Sequence, residues 1–140
     1  MSLSNAKPLP QPDQETRDFW EGLRRGEIVL KRCNGCGYYI HYPAPVCRNC
    51  LSTDIGNARV SGRGKVYSFI TTHHVVTPGF EDDAPYVVAL VELEEQAGLR
   101  LVTNIVDCSP GDVRVGMPVE PVFDAVTLEV TLLKFRPAAT

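Results

Sequence analysis

Four of the five cysteines fall between Cys33 and Cys50, as two C-x-x-C pairs separated by ten residues. No other feature limits the fold so sharply. Two intervening residues let both thiolates of a pair turn toward one ion from a tight knuckle. Gly35 and Gly37 supply permissive backbone in the first knuckle, and Asn49 holds the equivalent of Gly35 in the second. Four thiolates form a closed tetrahedral shell, the donor set of structural zinc; a catalytic zinc keeps a position open. The same sulfurs also accept iron. Two disulfides are the next reading, but the opening MSLSNAKPLPQPDQ lacks the basic-then-apolar layout of an export signal. That points to reducing cytosol, where disulfides are rare. His41, in the spacer, is surplus to a four-sulfur site and reads as packing near Tyr39 and Tyr42. Loss of Cys33 or Cys47 is expected to loosen residues 27–52 and leave the rest standing.

Around this module the pattern changes twice. Residues 1–12 read as a flexible tail with Pro8, Pro10 and Pro12. From Asp13 a short helix is expected, capped by Asp13 or Thr16 and stopped at Gly26. Its apolar stripe is only Phe19, Trp20 and Leu23, too little for a free helix, so it must pack on the metal module or on a partner. EIVLKRC is a short strand into the first knuckle. From Ala58 the period becomes that of strands. ARVSGRGKVYSFITTHHVV reads as one long strand, bulged or coiled at Gly62 and Gly64. PYVVALVELEE and LRLVTNIVDC form a hairpin across QAG, and PVEPVFDAV and LEVTLLKFRPA follow. The chain therefore reads as mainly β, with an N-terminal helix and zinc module (13–57) before a five-stranded OB-type barrel (58–140). A six-stranded barrel is the alternative.

The remaining chemistry is sparse. No phosphate loop, dinucleotide fingerprint, serine elbow or paired-carboxylate site is present. His73 and His74 are adjacent on an expected strand and so face opposite ways. Cys108 stands alone and reads as a small buried hydrophobe. With 14 Lys and Arg against 17 Asp and Glu, the net charge is −3, which argues against duplex DNA binding. Single-stranded nucleic acid is the rival reading, with Tyr67 and Phe69 as stacking rings. Lys31, Arg32 and Arg48 serve the sulfur cluster instead. No apolar run reaches membrane-span length. The loop 73–85, with Phe80, sits where barrels often bind.

Taken together, FWEGLRRGEIVLKRCNGCGYYIHYPAPVCRNC, VSGRGKVYSFITTHH and PGF…PYVVALVEL resemble the acyl-CoA-associated OB-fold proteins with an N-terminal rubredoxin-like zinc ribbon, domain-of-unknown-function family thirty-five. The likeness covers about residues 13–136. It implies a cytoplasmic, non-catalytic subunit. Such a subunit binds a thiolase-like enzyme or a hot-dog hydratase and supports its acyl-CoA chemistry. Cys33, Cys36, Cys47 and Cys50 would hold the zinc. Phe19, Trp20, Tyr39 and Phe80 are the residues offered for the partner interface, and Arg63 and Lys65 for contact with CoA phosphates.

Overall fold

The computed structural model describes residues 7–138; the expectation for the first six residues lies outside them. One helix, α1 (Arg17–Arg24), precedes eight strands. β1 (Ile28–Cys33), β2 (Tyr39–Ile40) and β3 (Ile55–Val60) form a small antiparallel sheet in the order β2-β1-β3. β4 (Gly64–Thr72), β5 (Tyr86–Leu93), β6 (Arg100–Ile105), β7 (Pro118–Ala125) and β8 (Thr131–Pro137) close into a barrel ordered β4-β5-β6-β8-β7. This is the five-stranded OB arrangement.

The expected long strand from Ala58 is in fact two strands in two sheets. β3 pairs with β1 through Ile28↔Val60 to Cys33↔Ile55, whereas β4 pairs with β5 and β7. Gly62 makes the turn between them at φ +84°, a left-handed conformation that glycine adopts without strain. A Cβ there would lie 2.7 Å from the Pro121 ring and 2.8 Å from Ile28. Gly62 thus marks the passage from one sheet to the other, Gly64 opens β4, and the bulge lies further along β4, at Val66/Ser68.

Helix α1 starts from Thr16, one of the two expected caps, although no side-chain capping bond forms there. Asp13 Oδ1 accepts bonds from the amides of Glu15 and Thr16 and from the Thr16 hydroxyl, which builds a turn that the helix then extends. Gly22 lets the helix lie close on β1, since a Cβ there would stand 2.9 Å from Val29 Cγ2.

Burial in β5 alternates strictly, with Val87, Ala89, Val91 and Leu93 inward, as a strand with one buried face requires. These residues share one core with Leu23 of α1 and with Ile28, Leu30 and Val60 at the base of the small sheet. A second, smaller cluster holds Cys33, Ile40 and Cys47 with Tyr38, Ala44 and Ile55 packed around it. The metal module is therefore fused to the barrel at its base and independent only at its tip. No helix among the described residues is long and apolar enough to cross a membrane.

The barrel closes weakly at one seam. β6 and β8 pair in parallel only at Ile105↔Phe135, supported by the Val106 N–H donating to the Phe135 carbonyl at 2.8 Å. Above that point the Thr103 hydroxyl bridges to the Leu133 carbonyl at 2.9 Å.

Candidate functional site

The four cysteine sulfurs lie within 4.8 Å of one another. Sγ–Sγ separations are 3.6 Å for Cys33–Cys50 and for Cys36–Cys47. Tetrahedral zinc with bonds of about 2.3 Å places its sulfurs about 3.8 Å apart, so the cage fits that ion. All five cysteines are free, and these separations are far beyond a disulfide's roughly 2.05 Å, which removes the disulfide reading. The knuckle backbone turns inward as expected: the Asn49 N–H donates to Cys47 Sγ at 3.3 Å, and its side-chain amide reaches Cys36 Sγ at 3.5 Å. Cys33 and Cys47 are buried while Cys36 and Cys50 face solvent.

The electrostatics show why a divalent ion belongs there. The Asn49 side-chain amide and then the Tyr38 N–H pull the Cys36 thiol down to about 6. The Ser52 N–H also pulls on Cys50, but the adjacent Cys33 and Cys36 sulfurs overcome it and push Cys50 up to about 12. Four thiolates this close repel, and zinc removes the conflict. The sulfurs of Cys33, Cys36, Cys47 and Cys50 make up the donor set of one structural zinc. Nothing in the closed shell leaves a position for substrate, so the ion is structural.

What the metal loop holds in place is a second feature. Residues 38–43, between the knuckles, are tied to the β5–β6 hairpin by the Gln96 side chain and by the Tyr42 hydroxyl. The Tyr39 N–H donates to Gln96 Oε1 at 2.8 Å, and Gln96 Nε2 returns a bond to the Tyr39 carbonyl at 3.0 Å. The Val102 N–H, on the open edge of β6, donates to the Tyr42 hydroxyl at 3.1 Å. The strand edge left bare at the weak seam is thus capped by a tyrosine of the metal module.

Above that seam lies an apolar cavity of about 460 Å³. Phe19 and Trp20 of α1 and His41 and Tyr42 of the metal loop form one side. Phe80 and Tyr86 flank the loop end, and Val88, Val102 and Leu132 form the floor. The rings are mutually packed: Phe19 meets Trp20 edge-on at 5.0 Å, His41 lies 5.7 Å from Phe19 and 4.2 Å from Tyr42. Phe19 and Trp20 also pack on the shared core, so the helix's apolar edge rests on its own chain.

Of the residues read from sequence, Phe19, Trp20 and Phe80 meet at this cavity. Tyr39 does not; its ring lies under the Arg32 guanidinium at 4.6 Å. Arg63 pairs with Glu94 at 2.8 Å and shares an acid-lined depression with Lys65, Glu92 and Glu94. His73 and His74 lie just past the end of β4 and are both exposed. Cys108 is half-buried, and burial followed by Asp112 and Asp107 pushes its thiol up. Tyr67 and Phe69 do not make a stacking platform. Tyr67 is covered by Arg100 at 3.7 Å and is the unpaired residue of the β4 bulge, whereas Phe69, back in register, packs on the core. Arg100 is itself held by Glu92. Sequence reasoning missed Gln96 and the floor residues; an amide in a hairpin turn carries no signal of its target.

Burial in this ring stack depresses the His41 pKa to about 4. Between that value and the ordinary 6.5 the unfolded chain binds more protons, so acid weakens the fold across this window and His41 adds nothing above it. The His41 share of stability, read as wild type minus His41→Phe in denaturant melts, is expected to fall by about 2–3 kcal/mol from pH 7 to pH 4. A difference that stays flat with pH contradicts the buried, neutral histidine.

Residues 20–56 match the family described as the ChsH2 rubredoxin-like zinc ribbon domain, and residues 58–124 match the ChsH2 C-terminal OB-fold domain. The chain is 41% identical over 132 residues to a probable enoyl-CoA hydratase alpha subunit of Thermomonospora curvata, matching 94% of this chain and 40% of that protein. It is 45% identical over 98 residues to a DUF35 domain-containing scaffold protein of Methanocaldococcus jannaschii, covering 69% of this chain and 67% of the other. Among solved structures, one described as "Ltp2-ChsH2(DUF35) aldolase" superposes with a TM-score of 0.83 at 40% identity over 93% of this chain and 99% of that chain. The chain spans less than half the length of the hydratase subunit it matches.

Proposed function

The chain belongs to the DUF35 family in its ChsH2 form, a rubredoxin-like zinc ribbon followed by an OB-fold, and from that premise we propose that it is a non-catalytic subunit of an acyl-CoA enzyme. Its partner is a thiolase-like enzyme or a hydratase, and the reacting groups belong to that partner. The observation that carries this reading is the likeness over almost the whole chain to a subunit of the ChsH2-containing aldolase. The chemistry of the present chain supports it, since the zinc shell is closed and His73, His74 and Cys108 lie apart from the apolar cavity. A docking surface is on offer that takes in part of the cavity floor. Register places Ile70, Val88, Leu90 and Val102 together on the outer face of β4–β5–β6, and Ile70 is 63% and Val102 58% exposed. Apolar side chains gathered on one face suit a protein interface better than water. The cytosol, where thiolates remain reduced, is the compartment that suits this metal site.

The test is co-expression with a thiolase-like or hydratase-type enzyme. The two should elute as one complex, the enzyme should lose activity when this chain is omitted, and the isolated chain should leave acyl-CoA untouched. Thioester turnover by the isolated chain overturns the reading.

A further inference from the structure

The two zinc knuckles are built on one plan and differ at one informative place. In the first, the residue after the second cysteine is Gly37, at φ +82°, and its N–H donates to the Cys33 carbonyl at 2.9 Å. In the second, Leu51 holds the same place at φ +66°, and its N–H donates to the Cys47 carbonyl at 2.8 Å. The knuckle therefore requires a left-handed residue there, which glycine supplies without steric cost. A bulky side chain in that conformation is uncommon, because its Cβ crowds the adjacent carbonyl. Among the described residues only Leu51 and Asp107 combine a positive φ with a side chain, and Asp tolerates that region far better.

Burial does not compensate Leu51. Its side chain is 76% exposed and belongs to neither core cluster. Exposed leucines alone are ordinary; one that also holds a costly backbone points to a role outside the fold. Val46, just before Cys47, is exposed as well. From Ile28 to Thr53 the chain carries no carboxylate side chain. Of the cations in that stretch, Lys31 is held by Asp18, and Arg32 by the Gly37 carbonyl and the Tyr39 ring. Arg48 is exposed and takes part in no ion pair among the described residues. An apolar knob beside an uncommitted cation matches an apolar socket with a carboxylate at its rim, which a folded protein surface supplies. A bilayer would call for a broader apolar face and several cations.

We propose that the second knuckle is a further contact with the enzyme partner, Leu51 filling an apolar socket and Arg48 meeting a carboxylate. The inference rests on the subunit reading above and adds a contact to the β4–β5–β6 face. The closed metal shell then has a task beyond holding the ribbon together, since it fixes the turn that presents the leucine.

The test titrates the enzyme that co-purifies with this chain against the zinc-loaded full chain and its variants, read by calorimetry. Leu51→Gly and Leu51→Ala should each weaken the complex about tenfold or more, the loss expected for one buried leucine side chain. Leu51→Met should stay within about threefold of wild type, and Arg48→Glu should weaken binding about tenfold or more. The free chain supplies the control for the fold. Leu51→Gly relieves the backbone, so it should release zinc to a chelator no faster than wild type and melt no lower. Wild-type affinity in both Leu51→Gly and Leu51→Ala, or in Arg48→Glu, overturns the proposal. So does faster zinc release from Leu51→Gly, which would make the leucine a support of the knuckle. Self-association of the isolated chain that Leu51→Gly abolishes assigns the knob to a second copy and overturns it too. A wild-type chain that captures no acyl-CoA enzyme sinks the subunit reading as well, whereas complexes that form with unmoved affinities sink this inference alone.

Discussion

Cys47→Ser empties the metal site and unravels the tip of the zinc ribbon while the barrel stays folded. Cys47 is fully buried, and its amide and carbonyl organise the second knuckle through bonds to Ser52 and Leu51. Serine offers a poorer ligand in a cage built for four sulfurs, and such cages are held together chiefly by their ion. Metal content should fall from one equivalent to below about a tenth. Hydrogen exchange should then quicken across residues 34–54. The sequence alone assigned the loosening to residues 27–52, but the shared core narrows it. Ile28, Leu30 and Val60 lie with the barrel residues, so the base of β1 and β3 should keep its protection. Chelation of the wild-type chain should reproduce the same map. Protection retained through both knuckles after metal loss contradicts a structural role for zinc.

The second large effect is expected from Phe135→Ala. Phe135 is fully buried and is the largest such side chain among the described residues. It also supplies the only residue through which β8 pairs with β6. Truncation removes most of an aromatic ring from a close-packed core, at a cost of about 3–5 kcal/mol. For a domain of this size the melting temperature should fall by roughly 10–15 °C. Cavity and seam fail together, so exchange of the Val106 amide, which bonds to the Phe135 carbonyl, should accelerate more than exchange in the β4–β5 pair. Phe135→Leu should recover more than half the loss. A melting temperature within about 3 °C of wild type would show that the seam is held elsewhere.

The metal site was readable because its signal is local: two knuckles, each closed within four residues. The barrel was readable because β5 and its hairpin partner alternate apolar and polar positions. Three features were hidden. Gly62 and Gly64 signalled a break, but not that the two halves of the run join different sheets, since that depends on β1 and β7 far along the chain. Phe19 and Trp20 announced a packing face without naming the surface, because the surface is assembled from β8 and the metal loop. Tyr67 and Phe69 looked equivalent by alternation, and the bulge at Tyr67 breaks that equivalence.

The Tyr42–Val102 bond carries a lesson for anyone who would separate the modules. A barrel cut free at Gly62 would lose the cover on its β6 edge and expose the core positions that Ile28, Leu30 and Val60 now fill. Bare strand edges beside apolar surface recruit further strands, so the excised piece would tend to stick to copies of itself. The ribbon is thus also a guard against self-association, and exchanging it between relatives requires moving the tyrosine and the strand edge as a pair.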